Sequence, residues 1–393
     1  MKILYWTERF WPHIGGVEVL SLQLIPALQK RGYEVTVVTS HSALDLPDEA
    51  TYIMPSGYIM PSECITPSGS NHIPIHRFHF LTSLTNKNLK QLLIARKRLA
   101  KLKQSFKPDL VHIHFSGPSP YFHWQTSRAH PAPTLVTIHS LPTRIKRENS
   151  LLVQTLRDAD WVNTVSATML SDIRQLVPEI TSRSSVIYNG LEMPAIQKAP
   201  LPSSQPRLLC LGRLVAWKGF DLALTAFASL TERFPHAHLV MAGDGPAKPD
   251  LERLAEALGI KDAVEFTGWV VPEKVPELIN SATMVLIPSR ADETLPVVAL
   301  QAAQLARPVV AMNVAGLPEI VLDQQTGLLV EPENSAGFAE SIAFLLSHPQ
   351  VATQMGQTAR QQAQERFGLA HYVDAYDALY RQLIEKFAGA TRC

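Results

Sequence analysis

The chain opens with a strand–glycine loop–helix–strand pattern and starts the same pattern again halfway along. Lys2–Trp6 is a short, nearly continuous apolar run, as expected for a parallel strand covered on both faces. A loop with Pro12, Gly15 and Gly16 follows. Val19–Lys30 is then amphipathic, with Leu20, Leu24, Ala27 and Leu28 on one side. Gly32 stops it, and Glu34–Thr39 reads as the next strand. Leu110–His114, Thr134–His139 and Trp161–Val165 continue the series. After the Pro- and Ser-rich segment 195–206 the alternation resumes with strand Leu208–Leu211 and helix Asp221–Arg233. Strand His238–Ala242 and helix Leu251–Leu258 come next, then strands at Val264–Phe266, Met284–Ile287, Val309–Met312 and Leu328–Val330. Such alternation specifies parallel sheets with helices on both faces. The expected fold class is α/β: two Rossmann-like doubly wound domains, at 1–195 and 207–371, joined through 195–206. A terminal helix is expected in 372–393, with Leu379, Leu383 and Phe387 about one turn apart. Residues 41–75 break the rhythm. They carry a small duplication, Tyr52–Ser56 and Tyr58–Ser62, and read as a long loop.

Composition narrows the function classes. Apolar residues make up 46% of the 393, enough for two large cores. A net charge of +1 supplies no basic field for nucleic acid. Cys64, Cys210 and Cys393 are odd in number and far apart, which argues against a disulfide scaffold. No apolar run reaches membrane-spanning length, and the N-terminus turns polar at Glu8 and Arg9, too early for a signal peptide. A cytoplasmic protein is expected.

Three loops could carry chemistry. In the first, Pro12–Glu18, the pair Gly15 and Gly16 lets backbone N–H groups approach an anion at a helix start. An ordinary tight turn explains the pair equally well. In the second, Arg213 and Lys218 stand five residues apart beyond a strand, where two cations could clamp a diphosphate. Two solvated surface cations are the bland alternative. The third, Pro288–Pro296, leads into an apolar helix and places Glu293 just before it and Gln301 inside it. Glu293 could equally serve as a helix-start acid. All three fall at carboxyl ends of strands, where doubly wound sheets bind ligands.

Together with Pro108–His114 (PDLVHIH), Thr137–His139, Ala159–Ser166, Val186–Gly190, Ala242–Pro246, Phe266–Gly268 and Thr326–Leu329, these loops make the chain resemble the retaining glycosyltransferases of family GT4 over essentially its whole length. The resemblance implies the GT-B arrangement, two Rossmann-like domains facing across a cleft, with the N-terminal one taking the acceptor and the C-terminal one the nucleotide-sugar donor. It implies that Arg213 and Lys218 bind the donor diphosphate with Gly15 and Gly16 nearby. His139 would contact the donor sugar near the reacting centre, and Glu293 would hold sugar hydroxyls. Gly243, Leu295, Val297 and Gln301 would complete the donor site. The terminal helix would pack back on the N-terminal domain. Reaction with retention, no metal and no further cofactor are implied too. The acceptor would be a carbohydrate, a lipid-linked molecule or a small molecule, and its recognition is assigned to loops 41–75 and 117–130.

One position departs from the family pattern. Where an E-x7-E spacing ends in glutamate, this chain has Gln301. A neutral amide loses the charge-assisted bonds of a carboxylate to the ribose diol, at a cost of about 1–2 kcal/mol. Hence there is a second reading, a sugar-nucleotide-binding protein with weak or no turnover. A dinucleotide oxidoreductase is disfavoured because no G-x-G-x-x-G follows a strand. Asp158-Ala-Asp160 matches a D-x-D metal pattern but lies at a helix–strand junction, and His72, His76 and His79 read as loop and strand histidines. Between Cys64 and Pro108 there is no acid but nine basic residues, Arg77, Lys87, Lys90, Arg96, Lys97, Arg98, Lys101, Lys103 and Lys107. A solvated helix face is the favoured reading of 87–107. The sharper one is a peripheral dock on an anionic membrane.

Overall fold

The computed structural model describes residues 1–13, 15–41, 46–53, 72–86, 88–115, 117–140, 150–291 and 293–390. Two compact units emerge, Met1–Tyr188 with Leu369–Cys393, and Asn189–Gly368.

The first unit is built on an eight-stranded sheet. Its strands are β1 (Lys2–Thr7), β2 (Glu34–Ser40), β3 (Glu49–Ile53), β4 (His72–Phe78), β5 (Leu110–Phe115), β6 (Thr134–Ile138), β7 (Trp161–Thr164) and β8 (Ser184–Val186). They lie in the order β3-β4-β2-β1-β5-β6-β7-β8. Only the β3–β4 pair is antiparallel. Successive β1 side chains alternate between two cores, as the two-residue strand period requires. Ile3 and Tyr5 join the cluster containing Leu24 and Leu28 of helix Gly16–Lys30 and Tyr376, Tyr380 and Leu383 of the final helix. Leu4 and Trp6 face the opposite cluster, with Leu99, Leu156 and Ile173. The strand order reverses between β2-β1 and β5, and the Gly15–Gly16 loop follows β1 there.

The final helix, Leu369–Ala390, covers this unit's sheet. Tyr380 Oη lies 2.6 Å from His112 Nδ1, and Asn163 Nδ2 donates to Tyr376 Oη at 3.2 Å. The tyrosines thereby satisfy their polar ends where their rings are fully buried.

The second unit holds six parallel strands: β9 (Arg207–Leu211), β10 (His238–Ala242), β11 (Val264–Gly268), β12 (Met284–Ile287), β13 (Val309–Met312) and β14 (Gly327–Val330). Their order is β11-β10-β9-β12-β13-β14, the doubly wound dinucleotide-fold order. Order reverses at the β9–β12 pair, where Met284 aligns with Leu208 and Val285 with Leu209. The loops after β9 and β10 touch backbone to backbone. Gly243 has φ of +139°, and a Cβ there would fall 1.9 Å from the Gly212 carbonyl oxygen, so a larger residue cannot stand here.

The structure differs from the sequence expectations at several points. The segment 195–206 is not a free linker. Asn280 Oδ1 accepts from Ala199 N at 3.0 Å, Arg307 donates to Ala199 O at 2.9 Å, and Thr283 Oγ1 donates to Pro202 O at 2.8 Å. These bonds strap it to the second unit, whose boundary lies at Tyr188/Asn189. Its Pro content marks an extended path, not a loose one. The last helix begins at Leu369, ahead of residue 372, and the first at Gly16, ahead of Val19. Within the expected loop 41–75, Glu49–Ile53 forms an edge strand, while the duplication at 52–62 and Cys64 fall almost wholly outside the described residues. Loop 117–130 contains a helix, Pro120–Gln125. Helix Leu89–Phe106 does not present all its cations to solvent. Lys103 is fully buried, with Nζ 3.1 Å from both Nδ1 and the carbonyl oxygen of His123. Burial pulls its pKa down to about 7.

Candidate functional site

In the second unit the chemistry gathers at the reversal point of the sheet. The loop after β9 brings Lys218 and the loop after β12 brings Ser289 and Glu293. Lys218 Nζ donates to Glu293 Oε1, and Ser289 Oγ donates to the same oxygen at 2.7 Å. Ser289 and Glu293 are buried, and the Lys218 ammonium lies 4.6 Å from the centre of the Trp217 ring. Backbone bonds lace the two loops together. Arg290 N donates to Trp217 O at 2.9 Å, while the Arg290 guanidinium grips Asp221 through two 2.7 Å bonds and Glu333 at 2.9 Å. That pairing holds the Asp221 carboxyl below its usual range and raises Arg290. Gly219 permits the contact. Its φ is +66°, and a Cβ would sit 2.0 Å from Pro288 O.

Glu293 is therefore not a helix-start acid. The helix runs Val297–Gln304 with Pro296 at its N-cap position, which supplies no side-chain cap. Leu295 is buried, and its carbonyl accepts from Asn189 Nδ2 at 3.1 Å. Val297 opens the helix, and Gln301 lies half-buried just over one turn further on. Arg213 follows β9 as expected, but its side chain is exposed and has no bonding partner among the described residues.

In the first unit, His139 follows β6 and is buried. Its Nε2 lies 2.7 Å from Nδ1 of His114, on the neighbouring strand β5. Burial pulls the pKa of His139 down to about 4 and that of His114 well below its ordinary value, so both rings are neutral at pH 7. Gly15 is the N-cap of helix Gly16–Lys30, which has no side-chain cap. A Cβ at Gly15 would meet Glu18 Oε2 at 2.8 Å. Glu8, at the end of β1, ties three loops together: its carboxylate accepts from Ser40 Oγ and from Ser119 N, both at 2.6 Å.

The expected residues thus fall into two groups. Lys218 and Glu293 are brought into contact, while Arg213 and Gln301 stand apart from that contact. Ser289, His114 and Glu8 were not singled out in the sequence. The only signal for His114 was its place in the PDLVHIH run, and nothing local marks Ser289.

The D-x-D acids have structural duties. Asp160 Oδ2 accepts from Thr134 N at 2.7 Å, and Asp158 Oδ2 accepts from Gln154 at 2.8 Å. Among the described residues, side chains within metal-ligand reach of one another meet at His41, Asp48 and His79. His72 and His76 lie in β4 and take no part. The guanidinium of Arg98 already bonds Asp48 at 2.7 Å. No described helix is long and apolar enough to cross a membrane. Cys210 is buried with its thiol pKa raised by desolvation.

Comparison with known proteins fits this architecture. The family described as "Glycosyl transferases group 1" matches residues 194–362, and "Glycosyltransferase Family 4" matches 14–193. The chain is 30% identical over 299 residues to glycogen synthase of Mycobacterium tuberculosis, covering 69% of this chain and 68% of that protein. It is 35% identical over 179 residues to alpha-D-kanosaminyltransferase of Streptomyces kanamyceticus, less than half the length of that relative, at 46% of each chain. Among solved structures, sucrose-phosphate synthase from Thermosynechococcus elongatus superposes with a TM-score of 0.79 at 22% identity, over 98% of this chain and 99% of that one. A protein from Anabaena (HepE), solved in complex with UDP-glucose, gives 0.72 at 19% identity, over 99% and 100%. Two parallel-sheet units of this kind are the GT-B fold. With two family matches in tandem and a relative at 30% identity over two thirds of its length, the chain belongs to the family 4, group 1 glycosyltransferases.

Proposed function

We propose that this glycosyltransferase moves a hexosyl group from a nucleotide sugar to a hydroxyl of a carbohydrate, lipid-linked or small-molecule acceptor, with retention of anomeric configuration. The observation that carries the reading is the Lys218–Glu293–Ser289 contact at the β9–β12 reversal point, where doubly wound sheets bind ligands. Glycosyl transfer from such a donor leaves negative charge on the departing diphosphate. Lys218 and the exposed Arg213 supply cations for it, and the N-terminal N–H groups of helices Val297–Gln304 and Gly16–Lys30 supply dipoles. With these in place no metal is needed. Glu293 accepts from sugar hydroxyls, Gln301 meets the ribose, and His139 meets the donor sugar. Gly15, Gly16 and Gly243 let backbone come close to the donor.

The acceptor side carries a second proposal. Helix Leu89–Phe106 exposes Leu89 (74%), Leu93 (63%) and Ile94 (48%) beside the exposed cations Lys90, Lys97 and Lys101. Apolar side chains flanked by lysines suit the face of an anionic bilayer. Co-sedimentation with phosphatidylglycerol vesicles but not with phosphatidylcholine vesicles supports this dock; equal binding to both removes it.

A thermal-shift panel of UDP, GDP, ADP and their sugars identifies the donor. Proton NMR of the product formed from that donor then reads the anomer. Nucleotide binding without sugar release in wild type would instead favour the non-catalytic reading.

A further inference from the structure

We propose that His114 is a positioning residue: its Nδ1–H donates to Nε2 of His139, which fixes the proton of His139 on Nδ1 and makes that ring a hydrogen-bond donor. What the donor meets rests on the reading above, in which His139 contacts the donor sugar.

The argument begins with the strands. β5 and β6 are parallel, with His114 opposite Thr137. His139 stands two residues beyond Thr137, on the same side of the chain, which brings the two imidazoles together. Their planes differ by 19° and Nδ1 of His114 lies 2.7 Å from Nε2 of His139. Two neutral rings in such a pair share one proton: one nitrogen donates and the other accepts. Burial of both rings keeps either from becoming imidazolium near pH 7.

The direction of the bond follows from the far edge of His114. Its Nε2 is buried and has no hydrogen-bond partner. The rings of Tyr5 and His112 lie over its faces, with centroids 4.3 and 4.0 Å away and tilts of 31° and 41°, and so do not receive an in-plane N–H. Were His139 the donor, the proton of His114 would be forced onto Nε2, leaving a buried N–H with no acceptor. Orphaned N–H groups are the rarer defect in folded proteins; bare acceptors are tolerated more often. With His114 as donor, the bare atom is an aromatic nitrogen lone pair, and His139 carries its proton on Nδ1.

A chemical consequence follows. A ring protonated on Nδ1, with Nε2 already accepting, has no lone pair left with which to take a proton. His139 then donates to a sugar oxygen and does not act as a general base.

The test is a long-range ¹H–¹⁵N spectrum of the full-length protein labelled at histidine, with His139 assigned by its disappearance in His139→Gln. Wild type is expected to show the Nδ1–H tautomer. His114→Asn, whose amide N–H stands where Nδ1–H stood, should keep it, with turnover within about threefold of wild type. His114→Leu should lose the single Nδ1–H species and slow turnover about tenfold. An Nε2–H tautomer in wild type overturns the proposal. So does an unchanged Nδ1–H tautomer in folded His114→Leu, since another group would then set it. The spectrum is read without donor. If the tautomer is as proposed but His139→Ala transfers sugar at the wild-type rate, the site reading fails and this inference stands.

Discussion

Lys218 and Glu293 are bonded to each other across the loops that follow β9 and β12, and Ser289 Oγ shares the bonded carboxylate oxygen at 2.7 Å. Sequence reasoning gave the two residues separate duties, one for phosphate and one for sugar. In the structure each is the other's charge partner. Under the proposed roles, a donor diphosphate that drew the ammonium away would also free the carboxylate for hydroxyls.

This pairing separates stability from activity. Lys218→Ala strands a buried carboxylate and should cost about 3 kcal/mol of folding free energy. The double variant Lys218→Met with Glu293→Gln removes both charges and should recover most of it, while sugar transfer stays abolished. Urea denaturation and a transfer assay on the same preparations check both halves. Recovery of activity in the double variant would refute the assigned roles.

Gln301 offers a gain-of-function test. It lies half-buried, just over one turn into helix Val297–Gln304. Gln301→Glu restores an anionic acceptor and should tighten nucleotide binding by about 1–2 kcal/mol, roughly tenfold. Calorimetry with the nucleotide chosen by thermal shift measures it, and an unchanged Kd rejects the ribose contact.

Lys103 makes stability depend on pH. Its folded pKa is about 7 against 10.5 for a free lysine. Between those values the unfolded chain holds a proton that the folded one lacks, so stability rises with pH; below about 7 both states hold it and the slope fades. Unfolding free energy should increase by about 1 kcal/mol from pH 7.5 to 8.5. Lys103→Met should flatten that rise and raise stability at pH 7.5. Chemical denaturation at the two pH values decides, and a slope that persists in the variant assigns the proton elsewhere.

Gly243→Ala should damage the second unit more than a surface change would. The new Cβ meets backbone 1.9 Å away, at a φ of +139° that alanine avoids. Strain of about 1–3 kcal/mol is the minimum expected, with loss of nucleotide binding because the loops after β9 and β10 must part. Gly259→Ala, also at positive φ (+71°) but in open space, isolates the backbone contribution.

Sequence made the two sheets readable because parallel strands buried on both faces are apolar runs, and Lys2–Trp6 or Val309–Met312 could hardly be anything else. It concealed what depends on distant partners. The segment 195–206 looked like a linker because prolines signal extended chain, yet Arg307, Asn280 and Thr283, roughly 80 to 110 residues on, bind its backbone. Lys103 looked solvated because its neighbours are; only its helical phase against Ala95 and Leu99 carries it inward. The candidate site was legible as loops but not as contacts. Glu293 and Lys218 stand 75 positions apart, and only the strand order brings their loops side by side.

The chain leaves its first unit at Tyr188 and comes back to it at Leu369. During synthesis, the face of the first sheet that helix Leu369–Ala390 covers therefore waits until the whole second unit has been made. The second unit is one uninterrupted stretch and can complete itself while still tethered to the ribosome. The order of maturation is inverted: the half made first finishes last, and a nascent chain cut short before Tyr376 and Tyr380 would leave His112 and Asn163 open to water.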